Sequence, residues 1–131
     1  MGLERKRKIA SKQDKLVARQ TGFSIQVNSG AVAGRKGDLY DDNMLLETKT
    51  IDCPRQQFTL HESWFDKLDA QAFSMGKPLS AIVFSFGKTQ QYVACTSEQF
   101  FNLYKTVLDL TEEINRLDRK LSEKVKSDSK D

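Results

Sequence analysis

An acid and a base stand two residues apart in a segment that alternates apolar and polar side chains. The alternation predicts a β-strand over Met44 to Ile51, and on a strand Glu47 and Lys49 point to the same face. A hairpin turn at Asp41-Asp42-Asn43 precedes this strand, and Asp38 lies at the end of the strand on the other side of that turn. Two carboxylates that converge in this way can hold a hard divalent cation through their oxygens.

The same residues could hydrolyse a phosphodiester bond. A carboxylate-bound metal lowers the pKa of its water, and a lysine beside it stabilises the negative charge that develops on a phosphate. We therefore take Asp38, Glu47 and Lys49 as candidate catalytic residues. A solvated strand with a surface ion pair would show the same Glu-X-Lys spacing. The apolar run Met44 to Leu46 directly before the charges favours a site, because a buried strand rarely ends in charged groups without a function.

These elements stand in an order that resembles the core of the PD-(D/E)XK nuclease superfamily. The branch they look most like is the small, archaeal-type Holliday junction resolvase-like nucleases, including versions that bacteriophages encode. The resemblance extends from about Lys12 to Phe101. Three motifs carry it: Ser29-Gly30-Ala31, Gly34-Arg35-Lys36-Gly37-Asp38 and Leu45-Leu46-Glu47-Thr48-Lys49-Thr50.

The resemblance implies a Mg²⁺-dependent endodeoxyribonuclease, with Mn²⁺ as a possible substitute. Asp38 and Glu47 would be metal ligands, and Lys49 would be the catalytic lysine. The family often adds a glutamate from the first helix, four residues before an alanine; Asp14 stands at that position before Ala18, one methylene shorter. Gly37 replaces the proline that precedes the aspartate in the family. Three loop residues would meet the DNA backbone: Ser29, Arg35 and Lys36.

The order of elements predicts an α/β domain. We expect helix, strand, loop, two strands, helix, two strands and a long final helix. The resemblance adds that the fold is restriction-endonuclease-like, with a mixed sheet flanked by helices. The expected boundaries are a basic arm over 1–10, a nuclease-like domain over 11–106, and a coiled-coil-like helix with a disordered tail over 107–131.

Charge is distributed unevenly along the chain. The 131 residues carry a net charge of +3, yet the first 20 residues hold seven bases and only two acids. A basic arm on a near-neutral body suits a polyanion such as DNA, whereas the alternative is a solubilising tail. The arm residues expected to contact phosphates are Arg5, Lys6, Arg7 and Lys8.

The final helix carries an apolar stripe at the spacing of a coiled coil. Its members alternate three and four residues apart: Val107, Leu110, Ile114, Leu117 and Leu121. Two interpretations stay open. Either the stripe pairs two copies into a homodimer, or the helix folds back on the domain.

Hydropathy, the cysteines and the glycine-rich segment bear on where the protein works and on what it binds. No run of 18 uncharged apolar residues occurs, so we expect no membrane partner. No secretory signal is visible. The simplest interpretation of Cys53 and Cys95 is that they are reduced thiols in the cytoplasm, or in the host cytoplasm if a phage encodes the protein. The glycine-rich segment lacks the G-K-[ST] of a phosphate-binding loop, and we expect no small-molecule cofactor.

The sequence thus predicts a metal-dependent endonuclease acting on branched or recombination-intermediate DNA such as Holliday junctions. A second hypothesis is a nuclease-fold protein that binds DNA, or assists recombination, without cutting. A third is a helical adaptor in which the coiled coil carries the function.

Overall fold

A computed structural model describes residues 2–26 and 38–129 of the chain. The chain is α/β, with a five-stranded mixed sheet and three helices. In chain order the elements are α1 (Leu3–Thr21), β1 (Ser24–Ile25), β2 (Leu39–Tyr40), β3 (Met44–Lys49), α2 (Glu62–Ser74), β4 (Leu79–Phe84), β5 (Tyr92–Ala94) and α3 (Ser97–Asp128).

The strands lie in the sheet in their order along the chain. Neighbours are antiparallel except β3 and β4, which run parallel and are connected through α2. The turn between β2 and β3 forms as expected, because the Asp41 carboxylate accepts hydrogen bonds from the backbone N–H groups of Asn43 and Met44, both at 2.8 Å. This tight hairpin fixes the start of β3 against β2.

Strand β3 has a helix on each face. Leu46 packs with Val17 of α1, and Leu45 packs with Leu68 of α2. Both leucines are buried, as expected for a strand that is apolar up to its charges. Because side chains alternate along a strand, Thr48 follows Leu46 toward α1, whereas Glu47 and Lys49 follow Leu45 toward α2.

The element boundaries differ from those expected at both ends of the chain. The basic residues of the expected arm, 1–10, form the first turns of α1, which starts at Leu3; Lys, Arg and Glu favour helix, and Glu4 in the first turn complements the helix dipole. The chain divides after Cys95 rather than after Thr106, and α3 continues through Asp128 into the expected tail.

Helix α3 forms a unit of its own. The Thr96 side chain caps it by accepting a hydrogen bond from the N–H of Gln99, and none of its residues is buried. The stripe begins earlier than expected, since Phe100 and Leu103 continue the same spacing before Val107. At 1.5 Å per residue, the helix is about 48 Å long. Within the described part of the chain, no helix is both long and apolar enough to cross a bilayer.

Gly87 is a position where the fold requires glycine. Its φ is +79°, and a Cβ there would overlap the carbonyl group of Cys53 and come within 2.9 Å of the Pro54 nitrogen. We expect Gly87→Ala to lower the free energy of unfolding by about 2–4 kcal/mol, because the left-handed backbone alone costs about 1–2 kcal/mol and the backbone must also move.

Gly76 supplies the matched control, because its φ is +70° and a Cβ at this position would meet nothing within 4 Å. Urea unfolding followed by the fluorescence of the single tryptophan compares the two variants. Equal losses in Gly87→Ala and Gly76→Ala would show that the close approach to Cys53 is unimportant.

Candidate metal and catalytic site

Two aspartates from different elements meet at the Thr48 side chain. The Thr48 Oγ1 lies 2.5 Å from Asp14 Oδ1 and 3.1 Å from Asp38 Oδ2. The backbone N–H of Thr48 also donates to Asp38 Oδ2, at 2.8 Å. Asp14 lies on helix α1, Asp38 directly precedes β2, and Thr48 is the second-last residue of β3.

This contact has fewer protons than acceptors. A hydroxyl has one proton, so Thr48 cannot donate to both carboxylates at once. The pKa of Asp14 is raised to about 6: burial raises it most, the Thr48 hydrogen bond lowers it, and repulsion from Asp38 adds a smaller increase. A protonated Asp14 can donate to Thr48 Oγ1, which then donates to Asp38. The pair thus carries negative charge that its surroundings do not fully compensate.

Glu47 and Lys49 form a second pair. The Lys49 Nζ lies 3.6 Å from Glu47 Oε1, and both side chains remain partly accessible, at 30% and 23%. The same ammonium lies 4.5 Å from the centre of the Trp64 ring on α2. A cation over an indole face is held by attraction to the ring electrons. The expected acid–lysine pair is therefore present, and the Trp64 ring positions the lysine.

The two pairs belong to opposite faces of β3. Asp14 and Asp38 meet Thr48 on the α1 face, while Glu47 and Lys49 project on the α2 face. Over residues 2–26 and 38–129, no three His, Cys, Asp or Glu side chains form a group that could hold a metal. Of the three expected ligands, Asp14 and Asp38 thus lie together and Glu47 lies apart from them. The backbone still connects Asp38 to this part of β3, because the N–H of Asp38 donates to the carbonyl of Leu46, the residue directly before Glu47.

The aspartate pair has the chemistry that a hard cation requires. Both groups offer carboxylate oxygens, the ligands that Mg²⁺ and Mn²⁺ prefer. The raised pKa of Asp14 means that its ionised form is disfavoured, mainly by burial and to a smaller extent by the negative charge of Asp38. Asp14 and Asp38 therefore offer two carboxylates of this kind on one face of β3, and Glu47 lies on the other face.

The basic residues expected to contact DNA lie on α1. Arg5 to Lys8 occupy its first turns and are exposed. Counting at 3.6 residues per turn, five bases at spacings of three and four share one face of the helix: Arg5, Lys8, Lys12, Lys15 and Arg19. We call these five residues the basic stripe. The loop residues Ser29, Arg35 and Lys36 lie outside the described part of the chain.

Two polar residues of the site were not singled out in the sequence. Thr48 lies between Glu47 and Lys49 in the sequence, and the charged residues drew attention away from it. Only its position on the opposite face of the strand could have indicated that it contacts a different set of polar groups. Gln13 is 6% exposed and donates from Nε2 to the backbone carbonyl of Lys49, at 2.8 Å. Its spacing of four from the apolar Val17 was the one available signal that it faces the sheet.

Comparisons with protein-family models, with curated proteins and with solved structures returned no match for this chain. The resemblance to PD-(D/E)XK nucleases in the motifs around Asp38 and Glu47 therefore stays a prediction. What can be said of the site follows from its own contacts.

The raised pKa of Asp14 predicts a specific pH dependence of stability. An acid whose pKa is higher in the folded state stabilises the fold at low pH, and this contribution is lost as the pH rises through the folded value, here about 6. Asp14→Asn cannot ionise. We therefore expect its free energy of unfolding, relative to wild type, to rise mainly between about pH 3.5 and 6.5, the interval around the unfolded and folded pKa values.

Urea unfolding at several pH values measures this difference, and Asp69→Asn on the exposed side of α2 serves as the control. Parallel pH profiles for wild type and Asp14→Asn would show that Asp14 has an ordinary pKa and no buried acidic neighbour.

Proposed function

We propose that this protein is a metal-dependent DNA endonuclease of restriction-endonuclease-like fold that works in the cytoplasm. One observation carries the proposal: two aspartates from distant parts of the chain, Asp14 and Asp38, converge on the strand that also holds the Glu47–Lys49 pair. Carboxylates that could bind a cation next to a lysine that could meet a phosphate are the groups that phosphodiester hydrolysis requires.

Each residue has a defined role in this proposal. Asp14 and Asp38 would hold Mg²⁺, or Mn²⁺ in its place, and Glu47 would be the third ligand that the resemblance implies, although it projects from the other face of β3. When bound, the cation lowers the pKa of a water molecule and offsets the charge of the scissile phosphate. Lys49 is kept near that phosphate by the Trp64 ring, with its charge partly neutralised by Glu47 until DNA is bound.

The basic stripe on α1 supports DNA as the substrate. Its five positions span about 21 Å of helix at 1.5 Å per residue, a length along which B-DNA presents many phosphates. Long cations on one exposed face contact the backbone without reading the bases. Arg35, Lys36 and Ser29 would add to this contact from the loop before Asp38. We therefore expect salt-sensitive binding with little sequence preference.

Branched DNA is the preferred substrate in this proposal, because a Holliday junction needs two symmetric cuts. A two-fold dimer supplies two such active sites. Helix α3 suits pairing, since β-branched residues alternate with leucines in its stripe: Val107 and Ile114 against Leu103, Leu110 and Leu117. That alternation favours two-stranded coiled coils. The stripe residues are between 39% and 61% exposed in the single chain.

A second candidate function is DNA binding without cleavage. The observation that favours it is the division of the acids between the two faces of β3, which leaves the metal ligands incomplete among the described residues. Such a protein would use the basic stripe and the α3 stripe in the same way. Cleavage assays separate the two.

We expect the protein to cut four-way or forked DNA in the presence of Mg²⁺, and Asp38→Asn or Lys49→Ala to lower the rate about 100-fold or more, because each removes charge stabilisation at the reacting phosphate. Labelled junction, fork and linear duplex are compared on denaturing gels.

Lys67→Ala and Asp69→Asn are controls, since they remove the same kinds of charge from exposed positions on α2. Cleavage that survives both site substitutions would show that the site is elsewhere. Equal binding by all proteins with no cleavage in any metal would favour the second function.

Dimerisation through α3 has its own test. We expect Ile114→Lys to convert a dimer to a monomer in sedimentation equilibrium, because a charge in the middle of the stripe must be buried on pairing. Asn115→Lys places the same charge one position outside the stripe and should leave the mass unchanged. A monomeric wild-type protein would exclude this role for α3.

A further inference from the structure

A cavity of about 350 Å³ opens beside α1, next to the candidate site but separate from its carboxylates. Its walls come from one flank of α1 and from the segments that follow β3 and β4. Its volume falls within the range of small-ligand pockets. Nothing in the proposed cleavage chemistry uses it.

The inner wall of this cavity contains a buried acceptor with no donor. The side-chain carbonyl Oε1 of Gln13 has no hydrogen-bond partner within the described residues, although Gln13 is only 6% exposed. A buried polar atom without a partner costs free energy, so native structures usually fill such positions with water or a ligand. Gln13 lines the cavity, so a donor that enters the cavity and reaches this side chain would satisfy its oxygen.

The orientation of the Gln13 amide is fixed by its neighbours. Its nitrogen lies 2.8 Å from the carbonyl of Lys49 and 2.9 Å from the Oε1 of Gln91, with the carbonyl of Val83 at 3.5 Å. Turning the amide over would place its oxygen against these acceptors. The nitrogen must therefore face them, and the free group is the oxygen.

The rest of the cavity has a positive rim and apolar walls. Lys12, Arg19 and Lys88 contribute three positive charges against the single carboxylate of Asp52. The apolar side chains on its walls are Ile9, Leu16 and Ile51. On its floor, the hydroxyls of Thr50 and Ser85 lie 2.7 Å apart and form a hydrogen bond.

These groups together define the chemical class of the occupant. The rim requires negative charge, the walls require an apolar surface, and Gln13 requires an N–H or O–H donor. A phosphodiester backbone alone offers only acceptors and cannot satisfy Gln13. A nucleotide meets all three demands, since it has a phosphate, a flat base and N–H groups at the base edge.

We infer that this cavity takes one unpaired nucleotide of the bound DNA, which lets the protein recognise the unstacked bases of a branch. The inference rests on the proposed function, because the nucleotide is supplied by the DNA that the protein binds. Gln13 and Asp14 are consecutive residues, and they bond to consecutive residues of β3, Lys49 and Thr48. A nucleotide in the cavity would therefore lie close to the phosphate held at the candidate site. Bases are most easily taken from the stack where pairing is already lost.

The test uses DNA with 2-aminopurine at a single-nucleotide bulge, and the same strand fully paired, in EDTA so that cleavage plays no part. We expect a saturable fluorescence change with bulged DNA only. Lys12→Gln combined with Lys88→Gln should weaken the preference for bulged over paired DNA about tenfold, since hydrogen bonds between charged groups are lost. Both lysines are exposed, so folding is not at risk.

The matched control combines Lys67→Gln with Lys105→Gln, which remove equal charge from exposed positions outside the cavity and the basic stripe and should keep the preference. Gln13→Met, checked for folding by thermal unfolding, should lose the fluorescence change. Equal effects of both double variants, or the same fluorescence with paired and bulged DNA, would overturn the inference.

A titration with free 2-aminopurine deoxynucleoside monophosphate tests whether the cavity binds a free nucleotide or a nucleotide that is part of DNA. Binding of the free nucleotide with no response to bulged DNA would also contradict the inference. Mg²⁺-dependent cleavage is scored separately. Cleavage without a fluorescence change would rule out the cavity's role alone, whereas a fluorescence change without cleavage would support the cavity and count against the nuclease.

Discussion

The alternation of side chains along β3 is the constraint on which the rest of the domain depends. This strand is hydrogen-bonded to β2 on one edge and to β4 on the other, and a helix covers each of its faces. Leu45 and Leu46 bury in opposite directions, so Glu47, Thr48 and Lys49 cannot all point one way. A shift of one residue in register would exchange the two faces, and would turn Thr48 toward α2 and Glu47 and Lys49 toward α1. Burial of those leucines therefore determines where each polar group of the site lies.

This constraint explains the electrostatics on each face. On the α1 face, Thr48 provides one proton for two carboxylates, and burial is the main reason that the pKa of Asp14 is raised. On the α2 face, the positive charge of Lys49 is stabilised by the Glu47 carboxylate and by the Trp64 ring. The strand therefore separates an acidic pair on one face from a partly accessible ammonium on the other.

Much of this arrangement was visible in the sequence, because it depends on local patterns. The hairpin before Met44, the buried start of β3 and the long α3 follow from turn residues and periodicity. The extent of α1 was missed, because charged residues 3–10 looked like a loose arm although lysine and arginine favour helix. The meeting of Asp14 with Thr48, and the burial of Gln13, depend on how α1 packs across the sheet, and no local pattern encodes that rotation.

Titration of the Asp14 carboxyl carbon by NMR, with and without Mg²⁺, tests the central claim most directly. If Asp14 and Asp38 converge to bind a cation, Asp14 will titrate near 6 in the free protein, and Mg²⁺ will lower this pKa because a nearby positive charge favours the ionised form. A pKa close to the ordinary 3.8 that Mg²⁺ does not change would contradict the account.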